Sequence, residues 1–200
     1  MTRGPWIWIT VLGAGASALA PATSGWAGDT PAHRGAAPLR VHAEAPPLGH
    51  SGGFGEPTCL ACHTGYPLNE PGGSLALEGR PDGFEPGGTY ALTVVLAVPE
   101  TVRAGFQLTA RHPDGRQAGR WVPVDARAAV VDSSGVSYAR STLDGTEPHS
   151  PDVAAWTLTW MAPDSREPVW FHLAANSGNG DDSPFGDLVH AASWEVESAR

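Results

Sequence analysis

From position 74 onward the chain alternates. Tyr90, Leu92, Val94, Leu96 and Val98 stand two apart, with Thr89, Ala91, Thr93, Val95 and Ala97 between them. Phe106, Leu108 and Ala110 alternate in the same way with Gln107, Thr109 and Arg111. Side chains of an extended strand point to opposite faces in turn, so this spacing selects strand over helix. Further strand candidates are 75–79, 121–131, 136–142, 156–161, 169–175 and 188–196. Pro113-Asp114-Gly115, Ser134-Gly135, Asp144-Gly145 and Ala162-Pro163-Asp164 supply turns between them. No segment sustains a 3.6-residue period. Seven or eight short strands with turns every ~8–12 residues predict an antiparallel β-sandwich over 74–196. Its core is expected from Leu92, Val94, Leu96, Phe106, Leu108, Trp156, Leu158, Trp160, Val169, Phe171 and Leu173.

The earlier part of the chain differs. Gly (25) and Pro (19) are crowded into the first ninety of the 200 residues, which places turn-rich, extended chain there. Residues 28–55, rich in Ala, Pro and Gly, show no period and predict an extended linker or arm. Ahead of them, Arg3 is the only charge before an apolar or small run over 6–19, with processing expected after Ala22 or Ala27. Residues 1–27 therefore predict a signal peptide. The run is shorter than the ~20 residues that span a bilayer, and no other segment is long enough. A periplasmic or secreted chain without a membrane span is expected. The net charge of -9 argues against nucleic acid, since nothing is present to neutralise a row of phosphates.

Between arm and sandwich, in a segment taken as 56–73, lies Cys59-Leu60-Ala61-Cys62-His63, which fits the attachment pattern of a c-type haem. Each thiol adds to one vinyl group on the same porphyrin edge, and the next residue then lies beneath the iron. His63 is expected to ligate iron through one ring nitrogen, the other donating to a backbone carbonyl that fixes the ring. One covalent haem c per chain follows, and an export signal suits it, because attachment follows translocation. Three other uses of the pair stay open. A thiol redox pair calls for a βαβ context that does not precede it. Zinc calls for two further ligands, and no paired spacing supplies them. A structural disulfide usually closes a longer loop.

The block from His50 through Ser51, Gly52, Gly53, Phe54, Gly55, Glu56, Pro57 and Thr58 to Cys59, followed by Cys62-His63, resembles bacterial exported proteins that join a haem-attachment motif to a reeler (reelin-type) domain. Residues 104–110, Trp160-Met161-Ala162-Pro163, 169–176, Asn179-Gly180 and Gly186-Asp187 carry the same resemblance. It covers roughly 49–194 and implies an immunoglobulin-like sandwich, here an all-β fold preceded by an extended haem-bearing arm. Some of those proteins end in sorting or membrane anchors, which the sequence up to Arg200 does not carry. The fold by itself implies no activity.

A second axial ligand is sought among His172, Met161, His190, His149, His112 and His50. Strand phase turns Met161, Trp170 and His172 outward. A hairpin across Pro163-Asp164 would place all three on one exposed face as a haem platform. An open iron, or one closed by a partner, is the alternative. Asp181, Asp182, Ser183, Asp187 and Asn179 form either a solvated loop or a calcium site of oxygen donors. No catalytic constellation stands out, so no enzyme activity is expected. The leading expectation is electron transfer to an unknown redox partner. A binding or adhesion module with accessory haem, recognising another extracytoplasmic protein, and an open haem that senses a gas or oxidant are the alternatives.

Overall fold

The computed structural model describes residues 45–200 and Gly4. The predicted signal peptide and linker residues 28–44 lie outside the described residues, and all of the following belongs to the unit Arg40–Arg200. A 3-10 turn, Cys59–Ala61, precedes eleven strands: β1 (Thr64–Gly65), β2 (Ser74–Glu78), β3 (Gly83–Phe84), β4 (Thr89–Ala97), β5 (Arg103–Arg111), β6 (Arg120–Pro123), β7 (Ala128–Ser133), β8 (Val136–Ser141), β9 (Val153–Met161), β10 (Val169–Gly178) and β11 (Phe185–Ser198). One sheet runs β1-β11-β10-β5-β8-β7 with β3 also beside β11, and the other runs β2-β4-β9-β6. Every pairing is antiparallel except those of β1 and β3, which lie parallel to β11. The fold is the all-β sandwich that the alternation predicts. No helix among the described residues is long and apolar enough to cross a membrane.

Period two becomes burial directly. Along β9, Ala154, Trp156, Leu158 and Trp160 are buried while Val153, Ala155, Thr157, Thr159 and Met161 between them are half-buried. Each of the eleven predicted core residues is at most 1% exposed, which settles which face of β4, β5, β9 and β10 turns inward. Burying one such aliphatic or aromatic side chain stabilises by about 1.5–3 kcal/mol before chain entropy is set against it. Phe106 tilts against Trp156, and Trp160 meets Phe84 and Phe171 edge-on. Both indole N–H groups find carbonyls, Trp156 at Gly145 and Trp160 at Ala118, so the large rings bury without an unpaired donor.

Three expectations are corrected. The segment 121–131 is two strands in opposite sheets, β6 and β7. Pro123, which has no N–H to extend a ladder, ends the first. Nor do β9 and β10 form a hairpin: β9 lies inside the four-stranded sheet and β10 inside the other, so residues 162–168 cross between layers. Outward side chains of the two strands therefore point away from each other, and the shared platform of Met161, Trp170 and His172 does not exist. Finally, residues 45–55 of the expected linker are docked on the outer face of β5, β10 and β8. That roof buries Gln107, Thr109 and Arg111, the outward residues of β5.

β11 would leave a free edge, open to pairing with another chain. It is closed along its length, by β1 near Phe185, by β3 near Ser198 and by Asn69 between them. Asn69 N–H donates to the Val189 carbonyl at 2.9 Å, and its side-chain amide exchanges two hydrogen bonds with the Ala191 backbone at 2.8 and 3.1 Å.

Candidate functional site

The arm reaches the sheet through polar contacts. Arg140 and Gln107 donate to the carbonyls of Pro46 and Pro47, both at 2.8 Å, and His50 N–H donates to Gln107 Oε1 at 2.6 Å. Gly53 then lies flat on His172, since a Cβ at Gly53 would stand 2.3 Å from the His172 ring. Glu56 gathers donors from three residues: Ser51 through Oγ at 2.6 Å and N–H at 3.3 Å, Tyr138 Oη at 2.5 Å, and Arg111 Nη2. Burial alone would raise the Glu56 carboxyl, but the hydrogen bonds from Ser51, Tyr138 and Arg111, with the Arg111 charge, hold it below its usual range. Arg111 lies over the Phe54 and Tyr138 rings, so the network is packed as well as paired.

This anchoring delivers the cysteine turn. Thr58 caps it, its Oγ1 accepting from Leu60 N–H at 3.3 Å, and Cys62 and His63 N–H both return to the Cys59 carbonyl. Cys62 is exposed. Cys59 is partly exposed as a residue, yet its thiol is desolvated, and burial first, then the neighbouring Cys62, pushes it up to about 12. The chain next joins the sheet edge as β1. Gly65 comes so close to β11 that a Cβ would stand 2.8 Å from the Gly186 nitrogen.

His63 is fixed by a carboxylate rather than by the expected backbone carbonyl. Its Nδ1 stands 2.6 Å from Asp187 Oδ2, across 124 residues of sequence. The Asp187 side chain is 4% exposed and that of His63 is 35%, so the pair is buried at its acid end and open at the ring. A carboxylate acceptor takes a proton on Nδ1, so Nε2 is the ring nitrogen left to face a ligand. Among the described residues no hydrogen bond engages Nε2. Two thiols three positions apart, followed by a histidine whose ring is oriented and partly exposed, fit the donor set of a c-type haem.

The other predicted ligands do not gather at His63. His172 pairs across the sheet with Ser193, six residues beyond Asp187 on β11, or about 20 Å at roughly 3.3 Å per residue. It sits between Phe54 and Trp170, its Nδ1 buried and unpaired. Desolvation, then the Arg111 charge, lowers its pKa. His190 lies opposite Ala175 on the inward face, against Gly73, with Nε2 buried and unpaired, and desolvation lowers it too. Met161, in the other sheet, takes a contact from Arg120 Nη2 to Sδ at 2.7 Å. His112 is buried with Nδ1 at 3.1 Å from the Pro168 carbonyl, His50 Nδ1 lies 3.1 Å from the Leu48 carbonyl, and His149 is exposed. The acidic loop also differs from a shared calcium site. Asp187 turns to His63, while Asp181 accepts from Asn179 Nδ2 and Ser183 N–H. Among the described residues no three His, Cys, Asp or Glu side chains converge as a metal cluster.

Sequence reasoning missed Asp187 as the partner of His63. Asp187 stood out in sequence only as a possible calcium donor and, in Gly186-Asp187, as a marker of resemblance, and neither gives it a role at His63. No family model matches the chain, and no curated protein matches it. Among solved structures, the Reelin-N domain of F-spondin is 19% identical with a TM-score of 0.47, covering 71% of this chain and 96% of that one. The human F-spondin reeler domain (fragment 1) is 21% identical with a TM-score of 0.46, covering 68% of this chain and 95% of that one. The chain is thus similar, at low identity, to reeler domains of F-spondin.

Proposed function

We propose that the protein is an exported, non-enzymatic, reeler-like β-sandwich carrying one covalent haem c and serving electron transfer to an extracytoplasmic redox partner. One observation carries the reading: His63, directly after the cysteine pair, has Nδ1 engaged by buried Asp187 and Nε2 free. Cys59 and Cys62 supply the two thiols for thioether bonds, and His63 supplies the proximal nitrogen. The haem, when bound, supplies a one-electron couple. The Glu56 network and the β1–β11 bridge hold the attachment turn against the sheet, so the ligand geometry need not reorganise as charge changes.

A second reading, an iron open to a small gas or oxidant, draws support from the separation of His172, Met161 and His190 from His63. The experiment serves both. Expressed with a haem-maturation system, the protein should retain haem after denaturation, and Cys59→Ser with Cys62→Ser should lose it. Absence of covalent haem in the wild type overturns the proposal. Slow binding of carbon monoxide by the ferrous protein favours electron transfer, and immediate binding favours the open iron.

A further inference from the structure

We infer that Asp187 is a positioning residue that gives His63 anionic character and biases the bound iron toward its ferric state. This rests on the reading of His63 as the iron ligand. The carboxylate is buried, and among the described residues its one ion-pair partner is His63, with no arginine in reach. Its remaining contacts are longer: Asn176 Nδ2 competes for the same Oδ2, and Asn179 N–H donates to Oδ1, both at 3.4 Å. The short contact to His63, at 2.6 Å, therefore takes most of its acceptor strength. The backbone that carries the carboxylate is fixed as well. Asp187 pairs with Gly65 across the β1–β11 bridge, two residues from His63, so the same backbone contact locates acid and imidazole together.

A carboxylate that pulls on the Nδ1 proton makes Nε2 a stronger donor, and its own negative charge, at the buried end of the pair, would lie one ring away from a bound iron. Both effects stabilise the more positive oxidation state. The midpoint potential should then follow the charge and basicity of Asp187, with predictable signs. Asp187→Asn removes the charge while keeping the shape, so the potential should rise. Asn176→Leu removes a competing donor, makes Asp187 a stronger acceptor, and should lower it. A merely structural role would not give opposite signs.

The test is a mediated optical titration of haem-loaded wild type, Asp187→Asn and Asn176→Leu. Resonance Raman of the ferrous form after photolysis of carbon monoxide then reads the iron–histidine stretch. We expect a more positive potential and a lower-frequency stretch in Asp187→Asn, and the reverse of both in Asn176→Leu. An Asp187→Asn protein with covalent haem and unchanged potential and stretch overturns the inference, as do two variants shifted in the same direction. If Asp187→Asn does not accumulate, Asn176→Leu decides: a fall in potential supports the inference, and no change or a rise overturns it. Wild type without covalent haem overturns the haem reading itself, and this inference with it.

Discussion

Cys59 and Cys62 are three positions apart, yet their surroundings make them chemically unlike. A thiol must ionise to act as a nucleophile. With its pKa pushed up to about 12, Cys59 in the folded chain has a thiolate fraction of about one in ten thousand at pH 8. Cys62 is exposed. Alkylation of the haem-free folded protein with iodoacetamide at pH 8 should therefore label Cys62 at least ~10 times faster than Cys59, with the rates converging in denaturant. Equal rates in the folded state, read by peptide mass spectrometry, would show that the Cys59 thiol is not desolvated. The Cys-x-x-Cys-His spacing itself was legible in sequence, because it is a local pattern of residue types. The asymmetry was not, since it arises from what packs over the turn. Asp187 was hidden for the same reason: a hydrogen bond across 124 residues leaves no periodic trace.

At the scale of elements, the arm shows why composition misled. Gly, Pro and Ala without a period describe backbone that forms neither helix nor strand, but they do not say whether that backbone is solvated or docked. Here the apparent linker serves close approach: Gly53 leaves room for the His172 ring, and Ser51 joins Tyr138 and Arg111 in donating to Glu56, the first residue of the next segment. Breaking a buried ion pair from one side strands its partner, here an Arg111 whose side chain is 6% exposed. Glu56→Gln keeps the shape and loses the charge. It should cost about 2–4 kcal/mol in urea unfolding, with hydrogen-exchange protection of residues 50–58 lost before that of the β4 and β9 amides. A midpoint within about 0.5 kcal/mol of wild type would mean that the arm is held by its backbone contacts alone.

For the molecule as a whole, alternation sufficed to find the layers and the core, since each inward position is set by the pleat of its own strand. It could not assign strands to sheets. The link over 162–168 looks the same in sequence whether it turns within a sheet or crosses between two, so the platform expected of Met161 and His172 failed on topology. Two histidines end up with a buried, unpaired ring nitrogen, His172 under the arm and His190 inside the sandwich, and both have lowered pKa values from desolvation first. The unfolded chain therefore binds protons that the folded chain resists. Stability rises with pH wherever the unfolded state holds more protons, so the histidine contribution is complete above about 6.5 and drains away as pH falls from there toward the lowered folded values. Glu56, also lowered, adds a further loss below about 4.5, where the unfolded carboxyl protonates first. Relief of repulsion among the excess acidic groups acts in the opposite sense, so the wild-type slope alone is ambiguous. Comparison with His190→Gln removes that background. Between pH 7.5 and 5, urea unfolding should show wild type losing stability relative to the variant, whatever the variant's absolute stability. Parallel curves across that window would mean that His190 protonates as readily in the folded chain as in the unfolded one.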